Sequence, residues 1–161
     1  MKLNVLLTIL IIFSKFTIAQ ELVIDESGKY FNQQIISINE KDTEKLFDKT
    51  MEWIAINYKS AQDVIQYSDK ESGKIICKGN FSVNLFMKDG WISHTLSLEI
   101  KQGRYRQTYS SFSYYSKGSG EMAFESKNLG FKKKIFEKTS LNIKSATNDL
   151  NKHLTSKDDD W

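Results

Sequence analysis

Residues 74–101 read Lys74-Ile75-Ile76-Cys77-Lys78-Gly79-Asn80-Phe81-Ser82-Val83-Asn84-Leu85-Phe86-Met87, then Lys88-Asp89-Gly90-Trp91, then Ile92-Ser93-His94-Thr95-Leu96-Ser97-Leu98-Glu99-Ile100-Lys101. Apolar and polar residues alternate through both arms, the period-two signature of strands with one buried face. Asp-Gly between strand-like runs is a strong short hairpin signal, because a type I′ turn needs positive φ at both central positions. A two-residue loop at Asp89-Gly90 predicts a register. Lys88 faces Trp91, Met87 faces Ile92, Leu85 faces His94, Val83 faces Leu96, Phe81 faces Leu98 and Gly79 faces Ile100. Apart from Lys88 and Trp91, which belong to the opposite face, these fall on one, mostly apolar face. The other face holds Lys78, Asn80, Ser82, Asn84 and Phe86 against Ser93, Thr95, Ser97 and Glu99. A slip of one residue would invert both sets.

The pattern extends in both directions. Gln102-Gly103 makes the next tight turn, and residues 104–114 return as a strand. Ile100 then faces Tyr105, Leu98 faces Gln107 and Leu96 faces Tyr109, while Glu99 meets Arg106 on the polar face. Phe112 and Tyr114 fall on that polar face too, near Ser93 and Trp91. Gln107 is out of place on the core face, which allows a bulge or a rim position there. Upstream, residues 63–67 read as a short strand closed by the polar turn Asp69-Lys70-Glu71-Ser72-Gly73. Residues 30–38 read as a first strand. Residues 42–58 read as a helix with Asp42 or Thr43 as cap and Leu46, Phe47, Thr50, Trp53, Ile54 and Asn57 on one stripe. Residues 115–134 form a loop or irregular hairpin, with Lys132-Lys133-Lys134 read as solvated. Residues 139–154 form a second helix, with Ile143, Ala146, Thr147, Leu150 and Leu154 on one face. The order is β-α-β-β-β-β-α, an α+β chain.

This order, with Trp53 in the first helix, carries a resemblance. Its most specific part is the stretch from Asp63 through Ser68-Asp69-Lys70-Glu71-Ser72-Gly73 to Ile76, leading into Lys78-Gly79-Asn80-Phe81-Ser82-Val83, with Gly103-Arg104-Tyr105-Arg106 beyond. These resemble a family of exported bacterial proteins described as a domain of unknown function with a TATA-binding-protein-like fold. The resemblance covers residues 30–114 and, loosely, the last helix. It departs at Lys101-Gln102-Gly103, where an Asp before the Gly is expected; that bears on turn type. It implies one curved antiparallel sheet with two helices on one face. It implies no catalytic residue, and the fold name does not imply nucleic acid.

The N-terminus is read separately. Lys2 is followed by the apolar run Leu3–Phe13, then by Thr17-Ile18-Ala19 with small residues at −3 and −1 of a cut before Gln20. That is the plan of a secretory signal peptide. The run is about half the roughly 20 residues a membrane span needs, and no later segment approaches that length. The organisation read from the sequence is a signal peptide over 1–19, a linker over 20–29, one domain over 30–155 and a frayed tail over 156–161. The chain has 161 residues, which suits one domain. Loss of residues 1–19 removes Lys2 and Lys15 and no acid, leaving 21 basic and 20 acidic residues and a formal charge of +1. Such a balance is a poor match to the phosphate backbone, so no nucleic-acid partner is expected.

Few residues suggest chemistry. Cys77 is the only cysteine. It cannot form an internal disulfide, and its core-face position predicts burial. The register places it opposite Gln102 and far from His94, so no Cys-His nucleophile is expected, and His94 reads as a partly buried packing residue near the sheet end. Asp63, Asp69 and Glu71 form no acid-base dyad, since two of them sit in a turn. Asp158-Asp159-Asp160 lacks the spacing of a calcium loop. No catalytic residue, cofactor or metal site is assigned. The surface of interest is the polar sheet face. Its candidate contact residues are Phe86, Trp91, Ser93, Thr95, Arg106, Thr108, Phe112 and Tyr114, because clustered exposed aromatics beside hydroxyls mark contact sites. The expected function is an exported, non-catalytic binding or interaction domain for a protein, peptide or glycan. The alternative is an accessory or structural subunit of an envelope assembly, and a hydrolytic enzyme comes last.

Overall fold

The computed structural model describes residues 21–38, 42–58, 60–86, 88–118 and 120–156. The expected signal segment over 1–19 and the tail from 157 onward lie outside the described residues. The elements in chain order are β1 (Val23–Ile24), β2 (Tyr30–Ser37), α1 (Thr43–Asn57), α2 (Ala61–Val64), β3 (Ile65–Asp69), β4 (Lys74–Leu85), β5 (Lys88–Lys101), β6 (Arg104–Ser116), β7 (Gly120–Ala123) and α3 (Lys132–Thr155). The strands form one antiparallel sheet in the order β1-β2-β6-β5-β4-β3, with β7 paired to β6. The fold is α+β, as expected. Short additions are β1, in the segment read as a linker, α2, at the start of the segment read as strand 63–67, and β7.

The long hairpin forms, but its turn is not at Asp89-Gly90. Leu85 pairs with Lys88, Val83 with Gly90, Phe81 with Ile92, Gly79 with His94, Cys77 with Leu96 and Ile75 with Leu98. The chain reverses at Phe86, which takes a left-handed φ of 51°. Each β4 residue therefore meets a partner six positions away from the predicted one, for example Gly90 rather than Leu96 opposite Val83. Six is even, so no side chain changes face. Gly90 serves packing instead of a turn. A Cβ there would lie 2.7 Å from Tyr114 Oη and 2.9 Å from its Cε2.

The β5–β6 register is the predicted one at Ile100–Tyr105, Glu99–Arg106, Leu98–Gln107 and Leu96–Tyr109. It then shifts. Thr95 pairs with Ser110 but Ser93 pairs with Ser113, and Ser111 lies between with φ 54°. An inserted residue reverses the parity of everything beyond it. Phe112 thus points into the core, where it is 2% exposed and stacks on Phe124 at 5.1 Å. Tyr114 faces the helix side opposite Ile92, and Tyr115 emerges beside Trp91. Gln107 is fully buried with neither a bulge nor a rim at its position; its Nε2 donates to Thr147 Oγ1 on α3.

The two long helices cover the apolar face. Asp42 caps α1, its carboxylate accepting from Lys45 N at 2.7 Å. Leu46, Phe47, Thr50, Trp53 and Ile54 form the buried stripe, while Asn57 is exposed. Trp53 joins the helices, donating through Nε1 to Asp149 at 2.8 Å. Helix α3 begins at Lys132, seven residues before the expected start at 139. Lysines in a first turn oppose the helix dipole by about 0.3–1 kcal/mol each. Burying a large apolar side chain returns about 1.5–3 kcal/mol, and this turn buries Ile135 and packs Phe136 against Phe124 and Tyr30. Lys132 also lies 5.0 Å over the Tyr30 ring. Packing wins, and the expected loop becomes helix.

Candidate functional site

The face of the sheet away from the helices carries side chains from four strands. Trp91, Ser93, Thr95, Ser97 and Glu99 of β5 line up with Tyr115, Ser113, Ser110, Thr108 and Arg106 of β6. Ile35 and Gln33 of β2 sit opposite Arg106 and Thr108 on one flank. Ser82, Asn80 and Lys78 of β4 sit opposite Trp91, Ser93 and Thr95 on the other. All of these are partly or fully exposed. Arg106 donates to Glu99, and Gln33 Nε2 donates to Thr108 Oγ1 at 3.0 Å. Ser113 donates to Glu121. One end is marked by the Trp91 and Tyr115 rings, with centroids 5.7 Å apart. The other flank presents Ile35, 64% exposed.

Of the eight residues expected on this face, Trp91, Ser93, Thr95, Arg106 and Thr108 are there. Phe112 is in the core and Tyr114 is on the helix side, both because of the Ser111 bulge. Phe86 leaves the face because it is the turn residue; its 57% exposed ring packs at 4.7 Å on that of Phe131, the residue just before α3. Tyr115 was missed. The run Phe112-Ser113-Tyr114-Tyr115 supplies an aromatic residue to either face, so only the bulge decides which one emerges. Phe86 and Phe131 rim a cavity of about 410 Å³ walled by Leu85, Tyr114, Met122 and Leu129.

Cys77 and His94, the cysteine and histidine of the sheet core, are not poised as an activated pair. The observed register brings Cys77 and His94 to diagonal positions across β4 and β5, not to distant ones, a separation of about 7–8 Å between backbones. Burial pushes the Cys77 thiol up to about 11 and His94 down to about 4. Both shifts favour the neutral forms, whereas an activated thiolate needs a lowered thiol pKa beside a protonated imidazole. His94 is 3% exposed and sits mid-strand opposite Gly79, not at the sheet end. It stacks on Phe81 at 4.1 Å and meets Tyr109 edge-on at 5.2 Å. Cys77 is buried, as its position predicts. Among the described residues, no group of three His, Cys, Asp or Glu side chains could hold a metal ion. No helix among them is long and apolar enough to cross a membrane.

The architecture has known counterparts. A TBP-like protein from Parabacteroides distasonis superposes with a TM-score of 0.71 at 13% identity, over 83% of this chain and 97% of that one. A DUF4468 family protein from Bacteroides ovatus superposes with a TM-score of 0.61 at 16% identity, over 88% of this chain and 97% of that one. At these identities the likeness concerns the fold. No curated protein matches the sequence. The family model described as "Domain of unknown function (DUF4468) with TBP-like fold" matches residues 32–115, from β2 through nearly all of β6, and the chain belongs to that family.

Proposed function

We propose that the chain is an exported, non-catalytic protein-interaction domain whose contact surface is the open sheet face. The carrying observation is that no described element covers this face across β2, β6, β5 and β4, while it holds Trp91 and Tyr115 at one end and Ile35 on a flank. The Trp91–Tyr115 pair adds cross-strand stability of its own, about 0.2–1 kcal/mol, and aromatics left accessible beside short hydroxyl side chains also suit a protein surface. The rows of Ser and Thr cost little entropy on binding, since their side chains have few rotamers to lose. The neutral, buried state favoured for Cys77 and His94 supports a non-catalytic role. Export is supported by the apolar run Leu3–Phe13 and by Thr17-Ile18-Ala19.

The test is a crosslinking pull-down from native envelope and medium with the chain from Gln20 as bait. Two controls accompany it: Trp91→Ser with Tyr115→Ser on the open face, and Leu141→Ser on the outer surface of α3. Circular dichroism establishes that each bait is folded. The expected result is a partner retained by Leu141→Ser and lost with the open-face variant. Retention of that partner by the folded open-face variant, or no partner for any bait, overturns the reading.

A further inference from the structure

The cavity beneath Phe86 and Phe131 lies on the helix side, apart from the open face, and has its own chemistry. Its volume of about 410 Å³ falls in the range of small-molecule sites, about 300–1,000 Å³. Its walls combine apolar side chains, Met122 and Leu129 among them, with one charged group, Lys88. No aspartate or glutamate lines it. A second cation stands at the rim, with Lys134 Nζ 4.2 Å from the centroid of the Phe86 ring. The one charged side chain lining the apolar hollow is thus a cation, and among the described residues neither lysine is ion-paired.

The rim is also unusual for a structural element. Phe86 and Phe131 both hold left-handed backbone, φ 51° and 53°, a conformation that disfavours a bulky side chain. They remain 57% and 66% exposed. The left-handed backbone serves the β4–β5 reversal at Phe86 and the start of α3 at Phe131, but it leaves both rings mostly exposed at the cavity mouth. A molecule inserted between the rim and the walls would bury both.

We propose that this cavity binds a small amphipathic anion, an apolar or aromatic body carrying one acidic group, with the body between Phe86, Phe131 and Met122 and the acid at Lys88. Charge complementarity selects this occupant. A wider groove of about 660 Å³ along α3 offers no such selection, because Glu21 and Glu137 line it together with Lys133 and Lys144.

The probe is 1-anilinonaphthalene-8-sulfonate, followed by fluorescence, with N-phenyl-1-naphthylamine as the uncharged analogue and laurate as competitor. The expected result is saturable one-to-one binding of the sulfonate, displaced by laurate, with the uncharged analogue at least about tenfold weaker. Lys88→Glu is expected to weaken the sulfonate about tenfold or more. Phe131→Gly is the decisive variant, since glycine suits φ 53° and spares the fold. It is expected to keep the melting temperature within a few degrees and to lose binding. Leu141→Ala, in the other groove, is expected to bind as the parent does. Equal affinity for both probes, retention by Lys88→Glu, or binding lost with Leu141→Ala and kept with Phe131→Gly would each overturn the proposal.

Discussion

His94 shows how one buried side chain ties stability to pH. Its imidazole is stacked on Phe81 and edged by Tyr109. Its Nδ1 reaches the Ile92 carbonyl at 3.4 Å, and its Nε2 has no hydrogen-bond partner among the described residues. Burial lowers its pKa to about 4, while the Ile92 carbonyl pulls weakly the other way. The folded pKa is below the unfolded value of about 6.5, so below neutrality the unfolded chain binds the proton more readily. The stabilisation is therefore fully present above pH 6.5 and is lost as pH falls through 4. Across that window the loss is about 3 kcal/mol, at about 1.4 kcal/mol per unit of pKa difference. Urea denaturation at a series of pH values should show stability falling between pH 6.5 and 4, and His94→Leu should flatten that slope. A variant with the parental slope would assign the pH dependence to other groups. That His94 belongs to the core face was legible from its place between Ile92 and Leu96. Its full burial was not, because that depends on Phe81 and Tyr109 arriving from neighbouring strands.

At the scale of elements, the β4–β5 hairpin separates two roles for the same glycine. In the turn predicted from Asp89-Gly90, replacing Gly90 would strain a positive φ whatever the neighbours are. In the observed strand the obstacle is the Tyr114 side chain, its hydroxyl 2.7 Å and its ring 2.9 Å from where a Cβ would sit. Gly90→Ala is expected to destabilise by about 1–3 kcal/mol through overpacking. Combining it with Tyr114→Ala should remove most of that added cost. Chemical denaturation of the four members of this double-mutant cycle measures the coupling. Additive effects would show that Tyr114 is not the obstacle at Gly90. The bulge at Ser111 is the other element-scale decision. One inserted residue sends Phe112 to the core and Tyr115 to the open face, so the aromatic content of the candidate site depends on a register event and not on composition.

For the whole molecule, the sheet divides one chain into two environments. The helix side holds the core, the neutral Cys77 and His94, and the cavity at Phe86 and Phe131. The other side holds the hydroxyl face with Trp91 and Tyr115. The proposed export is tested at this scale as well: if the chain is exported, the product is expected to begin at Gln20 and Ala19→Arg to block the cut, as intact-mass measurement of exported and retained protein would show. Unprocessed protein of full length from the unsubstituted chain would refute it. What the sequence alone determined was which residues share a face along β4, β5 and the first part of β6, where α1 lies, and the order of the main elements. These follow from local geometry, because successive side chains on a strand point to opposite sides and a helix repeats every 3.6 residues. What only the tertiary structure decided was the site of the β4–β5 turn, the Ser111 bulge and the early start of α3. A six-residue slide keeps every face intact, so alternation cannot distinguish the two hairpins. The choice falls to distant partners: Tyr114 packing over Gly90, Phe124 stacking on Phe112, and Phe124 with Tyr30 receiving Phe136.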